Sequence, residues 1–170
     1  MSVTRDIVKT YRTPRAVLRR HLDGPKNEGR VLAYLMLGCL LIFVAQWPRL
    51  SREAYLDPSV PLDARIGGAL MGWIFIAPIF FYFIAWISHG LTRVFGGKGS
   101  SYGARVALFW ALLAVSPLWL LHGLASGFLG GGPQLALLGL PLLALFVVFW
   151  FVGLREAATE QSLEGKGGTP

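Results

Sequence analysis

Three histidines, one cysteine and one glycine-rich basic loop are the features of this chain whose types could do chemistry. They are His21, His89, His122, Cys39 and the stretch Phe95-Gly-Gly-Lys-Gly-Ser-Ser101. Two histidines within apolar segments could ligate a haem. Here the spacing forbids it: His89 falls near the end of one apolar block, whereas His122 lies 17 residues beyond Arg105 in the next. At 1.5 Å per helical residue that is about 25 Å toward the other side of a bilayer. His21 sits in a polar flank, and no His/Cys/Asp/Glu set has metal-ligand spacing. Packing or interfacial histidines fit better, and no cofactor is called for. A single cysteine, inside an apolar block, makes no intramolecular disulfide and reads as a small buried residue.

Nucleophilic catalysis finds no support either. Ser88 precedes His89, but neighbouring residues on a helix do not face each other. The loop 95–101 has a glycine-lysine-glycine core without the G-x-x-x-x-G-K-[ST] spacing of a phosphate loop, and no strand precedes it. It reads as a turn; a site for a lipid phosphate built from Lys98 and backbone amides is the functional alternative.

The elements that would position these residues are apolar blocks of membrane-spanning length. The chain has 170 residues, 54% of them hydrophobic, above the share usual in soluble domains. Four spans are expected, at about 31–47, 66–91, 104–124 and 134–154, all helical because backbone groups in lipid must be satisfied within the segment. The expected class is thus an all-α, polytopic membrane helix bundle. It has a basic flank at 1–30, a membrane domain at 31–154 and a flexible tail at 155–170. No secretory signal peptide is expected, since the first 30 residues are polar and charged. All 16 Lys/Arg and nine Asp/Glu lie outside these blocks or, for Arg105, at the very edge of one. Ionisable groups at depth mark proton relays and ion pathways. Their absence argues against a proton-coupled carrier and against a carboxylate-based membrane enzyme.

Charge also orients the chain. Residues 1–30 carry eight Lys/Arg against three acids, and 92–105 carry Arg93, Lys98 and Arg105 with no acid. The segment 49–65 is balanced, and the Gly130–Pro133 turn is uncharged. Basic segments face the cytoplasm, so both termini and the 92–105 loop are expected inside. The same positional logic explains the net charge of +7 without nucleic acid, for which there is no motif. Richness in Arg, Ala, Gly and Leu points to a bacterial plasma membrane.

Within the flank, Thr13-Pro14 signals a helix start and Gly24-Pro25 a stop. Val17, Leu18 and Leu22 share one side of this helix, with Arg15, Arg19 and Arg20 around the rest. A juxtamembrane helix on anionic lipid and a docking helix for a protein partner both fit. Arg15, Arg19, Arg20, Arg93, Lys98 and Arg105 are the candidate contacts to a partner or to anionic lipid. Pro78, Pro117 and Pro141 fall inside spans and are expected to kink them, with Ser116 placed to satisfy a carbonyl that Pro117 frees. Gly68-x-x-x-Gly72, Ala107-x-x-x-Ala111 and Gly123-x-x-x-Gly127 offer faces for close helix approach, within the bundle or between copies.

The stretch FFYFIAWISHGLTRVFGGKGSSYGARVALFWALLAVSPLWLL, Phe80 to Leu121, resembles the Yip family of Ypt/Rab-interacting membrane proteins, in its bacterial branch. The similar features are a span ending near His89, then Phe95-Gly96-Gly97-Lys98-Gly99-Ser100, then a span with a proline at Pro117. The basic flank with Pro14 also fits, and the resemblance extends over about residues 10–155. It implies a multi-pass fold with a cytosolic N-terminus, generally of five spans where four are counted here, and no catalytic residue. The Rab partner of eukaryotic members does not carry over to a bacterium. The expected function is therefore a non-enzymatic integral membrane protein, in contact with the bilayer and with a membrane-protein partner or further copies of itself, that binds or organises other membrane components. A passive or facilitated small-solute transporter or channel, acting as an oligomer, is the alternative.

Overall fold

The computed structural model describes residues 3–94 and 99–164; Lys98 and most of the glycine-rich loop lie outside the described residues. Every regular element of the described chain is a helix, and no strand occurs among the described residues. Two short helices come first, α1 (Val3–Thr10) and α2 (Pro14–Leu22). They are followed by α3 (Glu28–Ala45), α4 (Trp47–Leu56), α5 (Leu62–Leu70), a π-helical segment (Met71–Ile76) and α6 (Ala77–Val94). Two long helices, α7 (Ser101–Leu129) and α8 (Pro133–Glu164), complete the fold.

Helix ends follow local chemistry. Asn27 starts α3 by accepting a hydrogen bond from the Arg30 amide at 3.0 Å, and Ser100 starts α7 by accepting one from Gly103 at 2.9 Å. Pro14, Pro48 and Pro133 each stand in a first turn, where the missing N–H costs nothing. At the end of α7 the chain reverses through Gly130, whose φ of 74° suits only glycine, with the Arg52 guanidinium lying against it.

Among the described residues, four helical stretches are long and apolar enough to cross a membrane: Glu28–Leu56, Leu62–Arg93, Ser101–Leu129 and Pro133–Thr159. The expected count of four holds; the spans are longer than expected. The first does not close at Pro48, which is tolerated near the start of α4 as the helix resumes after Gln46. The connection expected over 49–65 is helical except at 57–61, where Pro58 and Pro61 fall. Arg65 of α5 ties back to α4 through Glu53 at 3.4 Å and to the turn through Asp57 at 3.5 Å, while Arg49 and Glu53 pair within α4 at 2.7 Å. Instead of ending at 154, α8 continues to Glu164 and so takes in 155–164, which composition had suggested as flexible tail.

Helix α7 is the axis of the fold. It packs against α3, α4, α6 and α8, whereas α6 and α8 barely touch each other. Phe109, Trp110, Leu108, Leu113 and Val115 of α7 are fully enclosed. Small residues set the spacing. A Cβ on Gly153 would meet Ala107 Cβ at 2.7 Å, and one on Gly127 would meet Pro48 at 2.6 Å. One on Gly123 would collide with the Ala45 carbonyl. The small faces at 107–111 and 123–127 thus serve packing inside the bundle, while Gly68 and Gly72 have nothing within 4 Å.

The prolines are absorbed in different ways. Pro78 is the second residue of α6, just after the π-helical segment, where the Ala77 amide bonds back to the Gly72 carbonyl, five residues away. A widened turn is a common response to a break in the helical ladder. Helix α7 runs through Pro117, and the Ser116 hydroxyl donates at 2.8 Å to the Leu113 carbonyl, the group four residues back that Pro117 cannot serve. Helix α8 runs through Pro141.

Candidate functional site

The N-terminal flank does not lie apart on a membrane surface. Val17, Leu18 and Leu22 are buried in the main core with Val31, Tyr34, Phe109 and Trp110. The apolar side of α2 is therefore covered by the protein's own bundle rather than by lipid, a correction to the reading as a surface-lying amphipathic helix. α1 and α2 pack on each other, α1 on α7, and α2 on α7 and α8. The connecting turn reaches far in: Tyr11 Oη donates at 2.6 Å to the Ala114 carbonyl, and its ring meets Phe149 edge-on at 5.5 Å between centroids. Ala114 is 13 residues along α7 from Ser101, a rise of about 20 Å.

Apolar burial alone does not choose between protein and lipid, since lipid tails are as apolar as leucine. Polar links make the choice. Trp110 Nε1 donates at 3.1 Å to Thr10 Oγ1, which donates in turn at 2.8 Å to the Asp6 carbonyl. The Asp6 carboxylate, itself buried, pairs with Arg20 and stands 3.8 Å from His21 Nε2. His21 Nδ1 and Tyr34 Oη are 3.3 Å apart, and the His21 ring lies 4.2 Å from that of Trp110. Arg30 Nη2 donates at 3.1 Å to the His21 carbonyl, and the Tyr102 hydroxyl accepts from the Asn27 amide at 3.2 Å. A buried polar cluster contributed by α1, α2, α3 and α7 thus fastens the hairpin, each member sharing its low-dielectric setting.

Electrostatics in this cluster hold His21 neutral. Burial lowers its pKa from 6.5 to about 4; Asp6 opposes the shift, and Arg30 and Arg20 add to it. Burial likewise pushes the Tyr11 hydroxyl above its ordinary value.

The six basic residues singled out in the sequence do not form one patch. Arg15 and Arg19 stand on the outer side of α2, 72% and 63% exposed, and both face Glu156 of α8, at 3.9 Å and 2.8 Å. Arg20 points the other way, to Asp6. Arg105 is tied to Glu28 at the start of α3 at 2.6 Å. Arg93 is exposed near the end of α6 with no acidic partner among the described residues. Asp6 and Thr10 were not singled out in sequence, and His21 was read as a packing or interfacial histidine; the one signal for the first two was their placement one turn apart on the same side of a helix.

The histidines are dispersed as expected. His122 Nε2 lies 3.2 Å from the Leu135 carbonyl at the Gly130 end of the bundle, and His89 is on α6 near the opposite end. No group of three or more potential metal ligands occurs among the described residues.

No curated protein and no solved structure matches the chain. The profile of the Yip1 domain matches residues 8–166. The match takes in the end of α1, all of α2 and all four apolar stretches. The chain is a multi-pass membrane protein of the Yip1 domain family.

Proposed function

We propose that this protein is a non-enzymatic membrane scaffold or accessory subunit that binds and organises other membrane proteins, with both termini and α2 on the cytoplasmic side. The observation that carries this reading is the fixed presentation of α2. Its apolar side is locked into the bundle through Trp110–Thr10, Tyr11–Ala114 and Arg20–Asp6. Its outer side leaves Arg15 and Arg19 largely in solvent. A cationic surface held on a rigid frame suits an acidic partner better than a free tail would, because little ordering entropy is lost on binding. The charge asymmetry of the flanks supports the cytoplasmic placement. The interior of the bundle supports binding over solute passage: Phe109, Trp110 and Leu113 fill it from the α7 side.

The test is recovery of the tagged protein from native membranes in mild detergent, with mass spectrometry of what accompanies it. The expected result is a stoichiometric membrane-protein partner that is lost when Arg15 and Arg19 are both replaced by Gln. Recovery of a homo-oligomer alone, or of the same partner with the double variant, would overturn the assignment.

A further inference from the structure

We propose that the groove between α1 and α2, at the tip of the N-terminal hairpin, binds the phosphate of one anionic phospholipid of the adjacent leaflet. Val8 and Lys9 of α1, Arg12 and Thr13 of the turn, and Val17 and Arg20 of α2 line it around a volume of about 350 Å³. Among the described residues no acidic side chain lines it. Lys9 and Arg12 have no acidic partner among the described residues, since Asp6 pairs with Arg20, and Glu156 with Arg15 and Arg19. Arg20 also lines the groove, with its side chain 36% exposed. The Thr13 hydroxyl already donates to the Lys9 carbonyl at 3.3 Å. The side-chain donors left to a ligand are therefore cationic, and the ligand they suit is an anion.

Position decides which anion. The hairpin tip is fastened to α7 at Trp110 through Thr10 and at Ala114 through Tyr11. Arg105 is the last Lys, Arg, Asp or Glu of α7. The two anchor points lie about 7–8 Å and 13–14 Å beyond it along the helix. At these levels the bundle is bare and apolar. Leu37 is exposed next to Gly38, which packs on Leu112, and Val148 is exposed next to Phe149, whose ring meets Tyr11. Val8, which lines the groove, is 63% exposed. The groove thus opens where acyl chains give way to headgroups. A cation beside hydrocarbon is costly without an anion, and long Lys and Arg side chains reach for the phosphate layer. A soluble acidic peptide does not enter that layer, whereas a phospholipid phosphate is always present in it. Three cations also select the headgroup, because they repel the ammonium of a zwitterionic lipid and attract the net charge of an anionic one. The inference does not rest on the partner surface formed by Arg15 and Arg19.

The experiment is native mass spectrometry of the full-length protein in mild detergent, given equal amounts of phosphatidylglycerol and phosphatidylcholine with matched acyl chains. One phosphatidylglycerol per chain should be retained in preference to phosphatidylcholine. Lys9→Gln combined with Arg12→Gln, both at exposed positions, should weaken that retention about tenfold or more. Arg15→Gln combined with Arg19→Gln removes the same charge and should leave it nearly unchanged. Inorganic phosphate supplied alone at the same concentration should leave no adduct. Equal retention of the two lipids by the unaltered protein would overturn the proposal, as would an undiminished preference after Lys9→Gln with Arg12→Gln. An equal loss in the two double variants would reduce the effect to net charge and overturn it too. A phosphate adduct that disappears with Lys9→Gln and Arg12→Gln would make the occupant a free anion and overturn the assignment to lipid.

Discussion

Trp110 and Thr10, one hundred residues apart, are joined by an indole-to-hydroxyl hydrogen bond of 3.1 Å, with both side chains fully buried. Through this link the first helix of the chain reaches the central helix of the membrane bundle. Replacing Thr10 by Val keeps the shape and removes the acceptor, leaving a buried N–H unpaired. A loss of about 1–3 kcal/mol in hairpin docking is expected. Trypsin in the mild-detergent state should then cut at Lys9 and Arg12 about five times faster or more, because each 1.4 kcal/mol is a factor of ten in the open population. An unchanged cleavage rate would show that this bond does not hold the hairpin.

Acid should loosen the same cluster. His21 has its pKa lowered to about 4 when the hairpin is docked, chiefly by burial, and titrates near 6.5 once released. Between those values the released state binds more protons, so docking stability rises with pH through this window. The full stabilisation is present above about pH 6.5 and is lost below about pH 4, a change on the order of 3 kcal/mol. Denaturant unfolding followed at pH about 7 and pH about 4.5 should show a lower midpoint in acid. His21→Gln should flatten that dependence. A pH-independent midpoint in the unaltered protein would count against a neutral, buried His21.

Helix spacing gives a paired prediction. A methyl group at Gly123 would run into the Ala45 carbonyl, whereas one at Gly68 meets nothing within 4 Å. Gly123→Ala should therefore destabilise the bundle by about 1–3 kcal/mol or more through forced separation of α7 from α3. Gly68→Ala should stay within about 0.5 kcal/mol of the unaltered protein. Thermal unfolding in detergent compares the two directly, and equal midpoints would contradict the close approach at Gly123.

Ser116 and Pro117 should be energetically coupled. The serine hydroxyl serves the Leu113 carbonyl that proline leaves without an amide. Ser116→Ala should cost about 1 kcal/mol with Pro117 in place. In a Pro117→Ala background the cost should be smaller, because a backbone N–H then takes over the carbonyl. A double-mutant cycle that closes with no interaction energy would contradict this division of labour.

Much of the membrane frame was legible because the residues that specify it act locally. The apolar blocks, Pro14 at a helix start, the stop near Gly24-Pro25 and the Ser116 carbonyl bond all depend on neighbours within a turn or two. Span length was underread for a local reason too. Arg49, Arg52 and Glu53 suggested a loop, yet charged residues sit comfortably on a helix that leaves the membrane, and Pro48 is accepted in its first turn. The hairpin's docking was not legible. Asp6, Thr10 and His21 look like surface residues of a polar flank, and only the partners Trp110, Tyr34 and Arg20 explain their burial. The same distance effect split the basic residues: Arg15 and Arg19 answer to Glu156, and Arg105 to Glu28.

The most direct test of the partner-binding account is site-specific photocrosslinking in native membranes. A photoreactive residue would replace Ala16, exposed on α2, and in a second variant Tyr55, which is 85% exposed at the far end of the bundle. The account predicts a discrete membrane-protein adduct from position 16 and none from position 55. An adduct from position 55 with none from position 16 would contradict it.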